Sequence, residues 1–323
     1  MDVHWYSSVH DDLDAVERVM LNTVRSENSK LNEICNYVLN SNGKRVRPAM
    51  CILSYKACGG SQGNVRKTVD IGAAIEIIHN ATLVHDDIND QGDLRRGAKV
   101  AYKKYSISRS IVAGDYLFAL GFRLMGTSSS EIVNYLVDAS SAMSAGEFDQ
   151  KDFEHNHSVT EIDYMRIIEG KTSRLIECAA KSGAFLASAD VRTIDEVGAF
   201  AHKTGLAFQI IDDTLDVVGD EKFTGKNIGS DIMEGKPTLP TIYAMQDPKH
   251  GNRIREIFEM EIPDWSDISE AIGLIKKTDA ISRCVDKARS IVEDSFRHLD
   301  VLEESKYKTS LIDLAKFIVN RDR

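Results

Sequence analysis

The chain has 323 residues, of which 42% are hydrophobic and 28% are charged, as in an ordinary soluble globular protein. Its net charge of −10 argues against non-specific nucleic-acid binding and leaves no broad basic surface for anionic lipid. No stretch approaches 18 uncharged apolar residues, so the sequence predicts no membrane span.

Helical periodicity dominates the chain from end to end. Apolar residues recur at i, i+3, i+4 and i+7, whereas alternating strand-like runs are hard to find among residues that include only 5 prolines. The clearest predicted helices are 71–84, 110–124, 162–187, 197–217 and 311–319. Breaks are predicted at 59–63, 127–130, 155–157 and 223–240. None of these breaks is long or biased enough to be an interdomain linker, so we predict one all-α domain over residues 1–323.

Two acidic clusters of the form Asp-Asp-x-x-Asp, at 86–90 and 212–216, each end an apolar helical run. On a helix the first and fifth residues of this pattern lie on one face, one turn apart. If two such ends face each other, several carboxylates share a small volume, and they cannot all stay ionised unless cations bind among them. Clustered carboxylate oxygens favour a hard cation such as Mg²⁺, which completes its coordination with water and phosphate. The clusters therefore predict a diphosphate that is held through metal ions.

Basic residues flank both clusters. The segment Gly-Lys-Arg-Val-Arg-Pro at 43–48 precedes the first cluster, and Arg-Arg-Gly at 95–97 follows it. Arginine presents a planar fork of donors that suits phosphate, and lysine presents a mobile point charge. Two basic groups around a metal-binding cluster predict two anionic substrates, one chelated by metal and one held by arginine and lysine alone. A second basic set surrounds the later cluster: Lys171, Lys226 and Lys236.

Simpler interpretations exist for each of these features. A lone acidic cluster at a helix end is usually a solvated surface, but two identical clusters with basic partners argue against that. Residues 87–92 begin like a calcium loop, yet the twelfth position is Ala98 rather than glutamate, which excludes this motif. A lone His79 is more often a core or capped histidine, but it lies seven residues before Asp86, close to the same helical face. Lys44 and Arg47 could equally be a helix cap and a surface charge.

Taken together, these segments resemble the trans-isoprenyl diphosphate synthases, the polyprenyl synthetase family, in order from about Gly43 to residues 318–321. The combination is specific: it also includes Lys-Thr at 171–172, Gln209 three residues before Asp212, and the Gly-Lys…Gly-Lys-x-Thr-Leu-Pro stretch at 225–240. The resemblance implies a single large helical bundle around a central cavity, the isoprenoid synthase type.

The resemblance also implies a reaction. Isopentenyl diphosphate is condensed head-to-tail with an allylic diphosphate, which is geranyl, farnesyl or geranylgeranyl diphosphate. Three Mg²⁺ ions are implied in each active site, two held by Asp86 and Asp90 and the third by Asp212. Together with lysines and Arg95, these ions stabilise the charge that develops on the leaving diphosphate. The released diphosphate takes the final proton, because the sequence shows no dedicated side-chain base.

The resemblance assigns roles to individual residues. The implied catalytic residues are Asp86, Asp87, Asp90, Lys171, Asp212, Asp213 and Lys226. The implied isopentenyl diphosphate ligands are Lys44, Arg47, His79 and Arg96. The implied allylic diphosphate ligands are Arg95, Lys171, Thr172, Gln209, Lys226 and Lys236. Thr172 and Gln209 are expected beside the allylic cation with their oxygens as dipoles, and the hydrocarbon tail is expected in a water-free tunnel.

Product length is expected to depend on residues just before the first cluster. In the family a bulky aromatic residue five positions upstream stops the growing tail early, whereas this chain has Ala81 there, with Thr82 beside it and Ile78 further up the helix. These small or aliphatic residues favour a product longer than about twenty carbons. On an ideal helix Ala81 lies roughly 140° from Asp86, so its role follows from the resemblance and not from spacing. A floor on another helix, for example Phe118 or Phe122, and a short-chain farnesyl or geranylgeranyl diphosphate synthase remain alternatives.

Two further classes compete with a chain-elongating synthase. A class I terpene cyclase shares the fold type and the first motif, but it would carry an Asn-Asp-x-x-Ser-x-x-x-Glu second motif and needs no second diphosphate site. A non-catalytic partner subunit of another synthase should have lost charged members of the site, and here every one is present. Both classes are therefore less favoured by this sequence.

The cysteines and the start of the chain predict a compartment. The five cysteines are odd in number, scattered and without metal-type spacing, which predicts reduced core thiols in a cytosol-like compartment. The first residues have neither the basic region nor the apolar core of a signal peptide, so we expect a cytoplasmic protein. We further expect a homodimer, a transient membrane contact for product release, and no nucleic-acid partner.

Overall fold

The computed structural model describes residues 4–41, 43–126, 128–219 and 228–320. Almost all of the secondary structure in these residues is helical, which confirms the predicted all-α class. The helices are α1 (His4–Ser7), α2 (His10–Thr23), α3 (Ser29–Leu39), α4 (Val46–Ala57), α5 (Val65–Asn89), α6 (Ala101–Lys104), α7 (Ile107–Met125), α8 (Ser130–Asp152), α9 (Glu161–Ile168), α10 (Arg174–Leu186), α11 (Val191–Val218), α12 (Ser230–Met233), α13 (Leu239–Ala244), α14 (Gly251–Phe258), α15 (Trp265–Ile275), α16 (Ala280–Ser295) and α17 (Lys306–Val319).

Short elements join some of these helices. Two 3₁₀ turns lie at Gln62–Asn64 and Phe296–Val301, and a π-helical turn at Glu169–Ser173 joins α9 to α10. A two-stranded antiparallel hairpin, β1 (Leu94–Arg95) and β2 (Ala98–Lys99), follows the first acidic cluster. Sequence periodicity did not reveal this hairpin, because two residues per strand are too few to show alternation.

The described residues divide into two compact units, between which the chain passes several times. The first unit contains the described parts of Met1–Asp138, Leu175–Ala201 and Arg297–Leu314. The second contains the described parts of Ala139–Arg174, His202–Phe296 and Ala315–Arg323. Each acidic cluster lies in a different unit, so each cluster is described below within its own unit. That the whole chain works as one domain stays a prediction.

Helix α5 is the centre of the first unit. It packs against α2, α4 and α7, and its residues are buried on every side over most of its length. A helix that is buried all round needs apolar or small side chains throughout, and Ile71, Ile75 and Ala81 are each 0–1% exposed. The last turn of α5 carries the first acidic cluster, so the packing of this helix fixes where those carboxylates lie.

The core of the second unit is built by α13 to α16, with α9 packed on α13. Its buried side chains include Ile257, Phe258, Ile268 and Cys284, which lie on the inner faces of these amphipathic helices. Helix α9 begins with a capping box, in which Thr160 and Asp163 exchange side-chain hydrogen bonds with each other's backbone N–H. The box fixes the start of the helix that carries Tyr164.

The predicted helices were confirmed with one difference. Four predicted segments lie inside α5, α7, α11 and α17, whereas the predicted helix 162–187 is interrupted by the π-helical turn at Glu169–Ser173. Among the described residues, no helix is both long and apolar enough to cross a bilayer. All five cysteines are free thiols, and four are buried while Cys58 is half-buried, which agrees with the predicted reduced thiols.

Candidate active site

Arg45 is the anchor of the basic segment in the first unit. Its backbone adopts a left-handed φ of 50° just before α4, and its side chain is only 8% exposed. The guanidinium donates to the Glu17 carboxylate, to Glu76 Oε1 at 2.9 Å and to the Leu39 carbonyl oxygen at 3.2 Å. Two carboxylates compensate the burial of this charge. Arg45 therefore fixes the backbone between Lys44 and Arg47, and the Lys44 side chain is exposed. The sequence alone indicated no separate role for Arg45.

Three of the four predicted isopentenyl diphosphate ligands act on one another electrostatically: Arg47 and Arg96 both lie close enough to His79 to affect its charge. Burial and the positive charges of Arg47, Arg96 and Arg95 lower the pKa of His79 well below its usual range. The half-buried imidazole is therefore neutral at pH 7 and can donate one ring N–H to an anion. In a chain with a net charge of −10, this arginine–histidine group is a local site for an anion.

The hairpin holds Arg96 beside the basic segment. Arg96 and Gly97 form its two-residue turn with φ values of 54° and 78°, and positive φ at both positions is the signature of a type I′ turn. Arg96 Nη1 lies 3.1 Å from Ser41 Oγ. A Cβ on Gly43 would lie 2.8 Å from the same Nη1 atom, so a side chain at position 43 would make the Arg96 guanidinium shift.

The first acidic cluster forms the C-terminal turn of α5. Asp90 is the C-cap, and its backbone N–H donates to the Asp86 carbonyl oxygen at 2.8 Å. The side chains of Asp86 and Asp90 are half-buried, whereas Asp87 is 7% exposed and accepts from Arg95 Nε at 2.6 Å. Arg95, a predicted ligand of the allylic diphosphate, is thus already bonded to the middle aspartate of the cluster.

The three aspartates of the second cluster have different surroundings in the second unit. Asp212 is half-buried, and Asp213 is buried. Burial raises the pKa of Asp213 well above its usual range, and the charge of Asp231 raises it further. Asp216 instead accepts from Ser230 Oγ at 2.8 Å and from the Asp231 backbone N–H at 3.2 Å, so it fixes the start of α12.

A line of hydrogen bonds joins Thr172, Gln209, Asp213 and Tyr164. Thr172 Oγ1 donates to Gln209 Oε1 at 2.6 Å, and Gln209 Nε2 donates to Asp213 Oδ1 at 2.7 Å. The Tyr164 hydroxyl donates to Asp213 Oδ2 at 2.7 Å. The Gln209 oxygen, which was expected to face the allylic cation, is therefore already an acceptor for Thr172. Tyr164 was missed by sequence reasoning; its only signal is its place seven residues, or about two turns, before Lys171.

Lys171 lies on the π-helical turn between α9 and α10. Its Nζ is 2.6 Å from Glu147 Oε2 and 3.2 Å from Gln150 Oε1, both on α8. Two glycines let α8 approach the turn, because a Cβ on Gly146 would lie 2.8 Å from the Lys171 backbone N, and one on Gly170 would lie 2.6 Å from a carbonyl oxygen of α8. A π-helical turn is frequently found at a functional site, since it re-aims side chains.

The structure describes one of the two lysines that were predicted after the second cluster to bind the allylic diphosphate. Lys236 is 8% exposed, and its Nζ lies 2.5 Å from Glu234 Oε2, so its charge is paired within a buried environment. Gly235 has a φ of 64°, which favours glycine at this position. Lys226 lies outside the described residues.

The predicted chain-length residues lie on α5 within the first unit. Ala81 and Ile78 are fully buried, and Thr82 is half-buried with its hydroxyl donating to the His79 carbonyl oxygen at 2.8 Å. Ile78 packs directly against α7, because a Cβ on Gly121 would lie 2.5 Å from Ile78 Cγ1. Of the two aromatic residues considered for a floor, Phe118 is half-buried and Phe122 is 36% exposed.

The acidic residues fit a divalent cation that is shared with a phosphate. Among the described residues, no group of three or more histidine, cysteine or acidic side chains could hold a metal ion by itself. Mg²⁺ commonly takes one or two carboxylates and completes its octahedron with water and substrate phosphate. The excess negative charge felt by Asp213 from Asp231 and Asp212 also favours a cation nearby. The donors are therefore suitable for a hard metal ion that arrives with its substrate.

Comparisons with known proteins agree with this geometry. A sequence model of the polyprenyl synthetase family matches residues 28–275. The all-trans-nonaprenyl-diphosphate synthase (geranyl-diphosphate specific) of Rhodobacter capsulatus is 35% identical over 316 residues, which cover 97% of this chain and 96% of that protein. The octaprenyl diphosphate synthase of Escherichia coli is 32% identical over 320 residues, covering 97% and 96%. Among solved structures, a polyprenyl synthase from Caulobacter crescentus in complex with calcium and isoprenyl diphosphate has a TM-score of 0.94 at 29% identity, covering 99% and 98%.

Proposed function

The chain belongs to the polyprenyl synthetase family, and from this premise we infer that it is a trans-prenyltransferase. It condenses isopentenyl diphosphate head-to-tail with an allylic diphosphate, and its product is a polyprenyl diphosphate longer than C20. The observation that supports this best is on α5. That helix carries both the neutral His79, on which the charges of four arginines act, and the first acidic cluster, which begins seven residues later. A rise of about 1.5 Å per residue separates them by roughly 10 Å, which suits two adjacent diphosphates.

We assign the metal ions to the outer carboxylates of the clusters. Asp86 and Asp90 would hold two Mg²⁺ ions and Asp212 a third, with water and substrate phosphate as the further ligands. Bound Mg²⁺ neutralises charge on the diphosphate that leaves the allylic carbon. Asp87 has a different task, because it is buried and bonded to Arg95. It holds that guanidinium beside the metal-binding carboxylates.

The remaining residues bind, orient and exclude water. Lys171, Lys226 and Lys236 contribute positive charge at the allylic diphosphate, and Lys171 can exchange its bond to Glu147 for one to phosphate. Lys44, Arg47, His79 and Arg96 bind the isopentenyl diphosphate without metal. The apolar side chains before the first cluster receive the tail and keep water from the allylic cation. The final proton passes to the released diphosphate.

A second copy of the chain is the proposed partner. Helix α7 buries Ala113, Leu117 and Leu120 in the first unit, yet on its other side it exposes 42% of Ile111 and 56% of Val112. Exposed apolar side chains grouped on one helix face are typical of a protein interface. We propose that this face packs in a homodimer. Ile111→Lys together with Val112→Lys should convert the dimer to a monomer in sedimentation velocity, and an unchanged sedimentation coefficient would count against this interface.

Residues 1–323 are proposed to act as one catalytic domain, because the reaction needs both acidic clusters. The five free thiols fit a reducing compartment such as the cytoplasm, and the long apolar product is proposed to require a transient membrane contact on release.

The test is an assay of the purified chain with isopentenyl diphosphate, farnesyl diphosphate and Mg²⁺. Elongated prenyl diphosphates should appear in chromatography coupled to mass spectrometry, and their formation should stop when the metal is chelated. A cyclic hydrocarbon made from the allylic substrate alone would indicate a terpene cyclase. The absence of any product from the chain alone, with activity only after a partner synthase is added, would indicate a non-catalytic subunit.

A further inference from the structure

A phenol at the buried end of the Thr172–Gln209–Asp213 line has no role in the function proposed above. Tyr164 is 1% exposed, and its hydroxyl donates to Asp213 Oδ2 at 2.7 Å. It thereby links α9 to α11 inside the second unit. Asp213 and Thr172 are 7% and 5% exposed, so most of the line is shielded from water.

The chemistry of the groups fixes the direction of every bond in this line. The Gln209 amide nitrogen can only donate, so Asp213 Oδ1 is its acceptor at 2.7 Å, and the Tyr164 hydroxyl donates to the other carboxyl oxygen, Oδ2. The Gln209 amide nitrogen is thereby turned towards Asp213 and its oxygen towards Thr172. The Thr172 hydroxyl must then donate its proton to the Gln209 oxygen. Only the lone pairs of the Thr172 oxygen remain available for another group.

We propose that Tyr164 is a positioning residue for prenyl transfer. It acts through Asp213 and Gln209 to hold the Thr172 hydroxyl in one orientation, with its oxygen lone pairs rather than its proton available to the electron-poor allylic carbon. This inference rests on the proposed function, because it needs an allylic cation to stabilise. Preorganised dipoles of this kind stabilise a transition state without reorganising at the moment of reaction.

Loss of the phenol hydroxyl would release the far end of the line. Asp213 would keep the bond from Gln209 but lose its second donor, and a buried carboxylate oxygen without a donor favours rearrangement. The Gln209 amide could then rotate and leave the Thr172 proton free to turn towards the reacting carbon. The expected defect is therefore in the chemical step and not in binding of isopentenyl diphosphate.

The same unit contains a matched control for a purely structural effect. The Tyr243 hydroxyl donates to Glu161 Oε2 at 2.7 Å, and Tyr243 is 5% exposed. Both tyrosines are buried, and both donate one hydrogen bond to a carboxylate. Glu161 also pairs with Lys287 and belongs to none of the residues assigned to substrate or metal. Tyr243→Phe therefore removes an equivalent bond from a place unrelated to the reaction.

The first experiment compares Tyr164→Phe with Tyr243→Phe. Tyr164→Phe should lower kcat by about ten- to a hundredfold, since removal of one direct donor at a reacting centre costs about 10²–10³ and this residue acts through two others. The KM for isopentenyl diphosphate should stay within about twofold. Tyr243→Phe should leave kcat within about twofold, even if both variants lose similar thermal stability. Equal kcat values for the two variants would overturn the proposal.

A double-mutant cycle with Thr172→Val separates positioning from stability. If Tyr164 works through Thr172, adding Tyr164→Phe to Thr172→Val should lower kcat by less than about twofold, because residues that act as one unit are non-additive. Independent effects that multiply would refute the proposal. If Tyr164→Phe does not fold, Gln209→Leu breaks the line at its middle, and it must show the same non-additivity with Thr172→Val.

Different results would contradict prenyl transfer by the chain and the positioning role of Tyr164. A wild-type chain that elongates no allylic diphosphate would contradict the proposed function itself. A fully active wild type with an equally active Tyr164→Phe variant would contradict only the positioning role of Tyr164.

Discussion

Arg95 donates from Nε to Asp87 Oδ1 across 2.6 Å, so the first acidic cluster carries its own guanidinium counter-ion. Asp87 is buried, and a buried carboxylate is stable as an anion only when it is paired. A guanidinium has five N–H donors, so Arg95 can hold Asp87 and still offer donors to a phosphate oxygen. Asp87 thus orients the Arg95 guanidinium, whereas Asp86 and Asp90 are the proposed metal ligands.

Substitution of a carboxylate that we propose to bind metal should abolish most of the activity without unfolding the protein. Asp86→Ala and Asp212→Ala should each lower the initial rate by at least about 10²-fold, the scale for loss of one preorganised electrostatic group. Both side chains are half-buried, so their removal leaves the core intact. The measurement is the rate of product formation at saturating substrates, with circular dichroism to confirm the fold.

Asp93→Ala is the matched control for this pair. Asp93 is an exposed aspartate that follows the first cluster and pairs with Lys103 at 2.9 Å, so its loss should leave the rate unchanged. Chelation of the metal should abolish turnover of the unmutated chain. Full activity in excess chelator would exclude the magnesium mechanism.

Two substitutions should separate the two diphosphate sites. Arg96→Lys keeps the charge but loses the planar fork of donors, so it should raise the KM for isopentenyl diphosphate by roughly tenfold. Lys236→Ala should mainly raise the KM for the allylic substrate. Steady-state kinetics with each substrate varied in turn provide the measurement. If both variants affect both substrates equally, the assignment of two separate sites is wrong.

The sequence predicted those elements whose signal is local. Helical periodicity found α5 and α11, because an apolar face repeats every 3.6 residues whatever the rest of the chain does. The π-helical turn at Glu169–Ser173 was hidden, since a single wider turn barely changes that period. The hairpin was missed because each strand has two residues, and because its turn has Arg96 where a type I′ turn usually has asparagine, aspartate or glycine, so that only Gly97 fits the preferred pair.

The chemistry of the candidate site was partly predictable for a similar reason. Motif spacing identified Asp87 and Gln209. It could not show that Arg95 donates a hydrogen bond to Asp87, or that Thr172 donates one to the Gln209 oxygen. Those bonds depend on tertiary contacts between separate elements. Tyr164 was missed for the same reason, because a tyrosine in an amphipathic helix has the same pattern whether its hydroxyl is bonded or not.

His79 should make stability depend on pH. Burial and neighbouring arginines hold its folded-state pKa well below the unfolded value, so the unfolded chain binds a proton more readily. The contribution of neutral His79 is fully present above about pH 6.5, the ordinary value, and it is lost as the pH falls towards the folded pKa. Urea unfolding between about pH 7.5 and about pH 5 should show this loss, and His79→Gln should reduce it.

His10→Gln is the control for the pH experiment. The His10 side chain is 49% exposed on α2 and its Nδ1 lies 3.5 Å from Asp11 Oδ1, so a change in pH dependence as large as that of His79→Gln would show that the effect is not specific to the surroundings of His79. A His79→Gln variant with the same pH dependence as the wild type would contradict the role given to burial and the arginines.

Ala81 should set how far the product grows. Ala81 is fully buried on α5, one turn after Ile78, which already packs against Gly121 without spare room. Because interiors are close-packed, the ring added by Ala81→Phe must displace either its neighbours or the prenyl tail. The steric limit acts only after several condensations, since early intermediates are too short to reach it. The longest product should therefore shorten to roughly fifteen or twenty carbons, while initial consumption of a short allylic substrate stays near normal.

A series of side chains at this position makes the test quantitative. Ala81→Val and Ala81→Leu add less volume than Ala81→Phe, so a tunnel wall at residue 81 should shorten the product ladder in that order. Thermal melts of the three variants distinguish a shorter tunnel from a damaged core, because overpacking lowers stability whether or not the tail passes this residue. A product ladder that is unchanged across the series would place the floor on another helix. The small residues before the first acidic cluster would then no longer explain a product longer than C20.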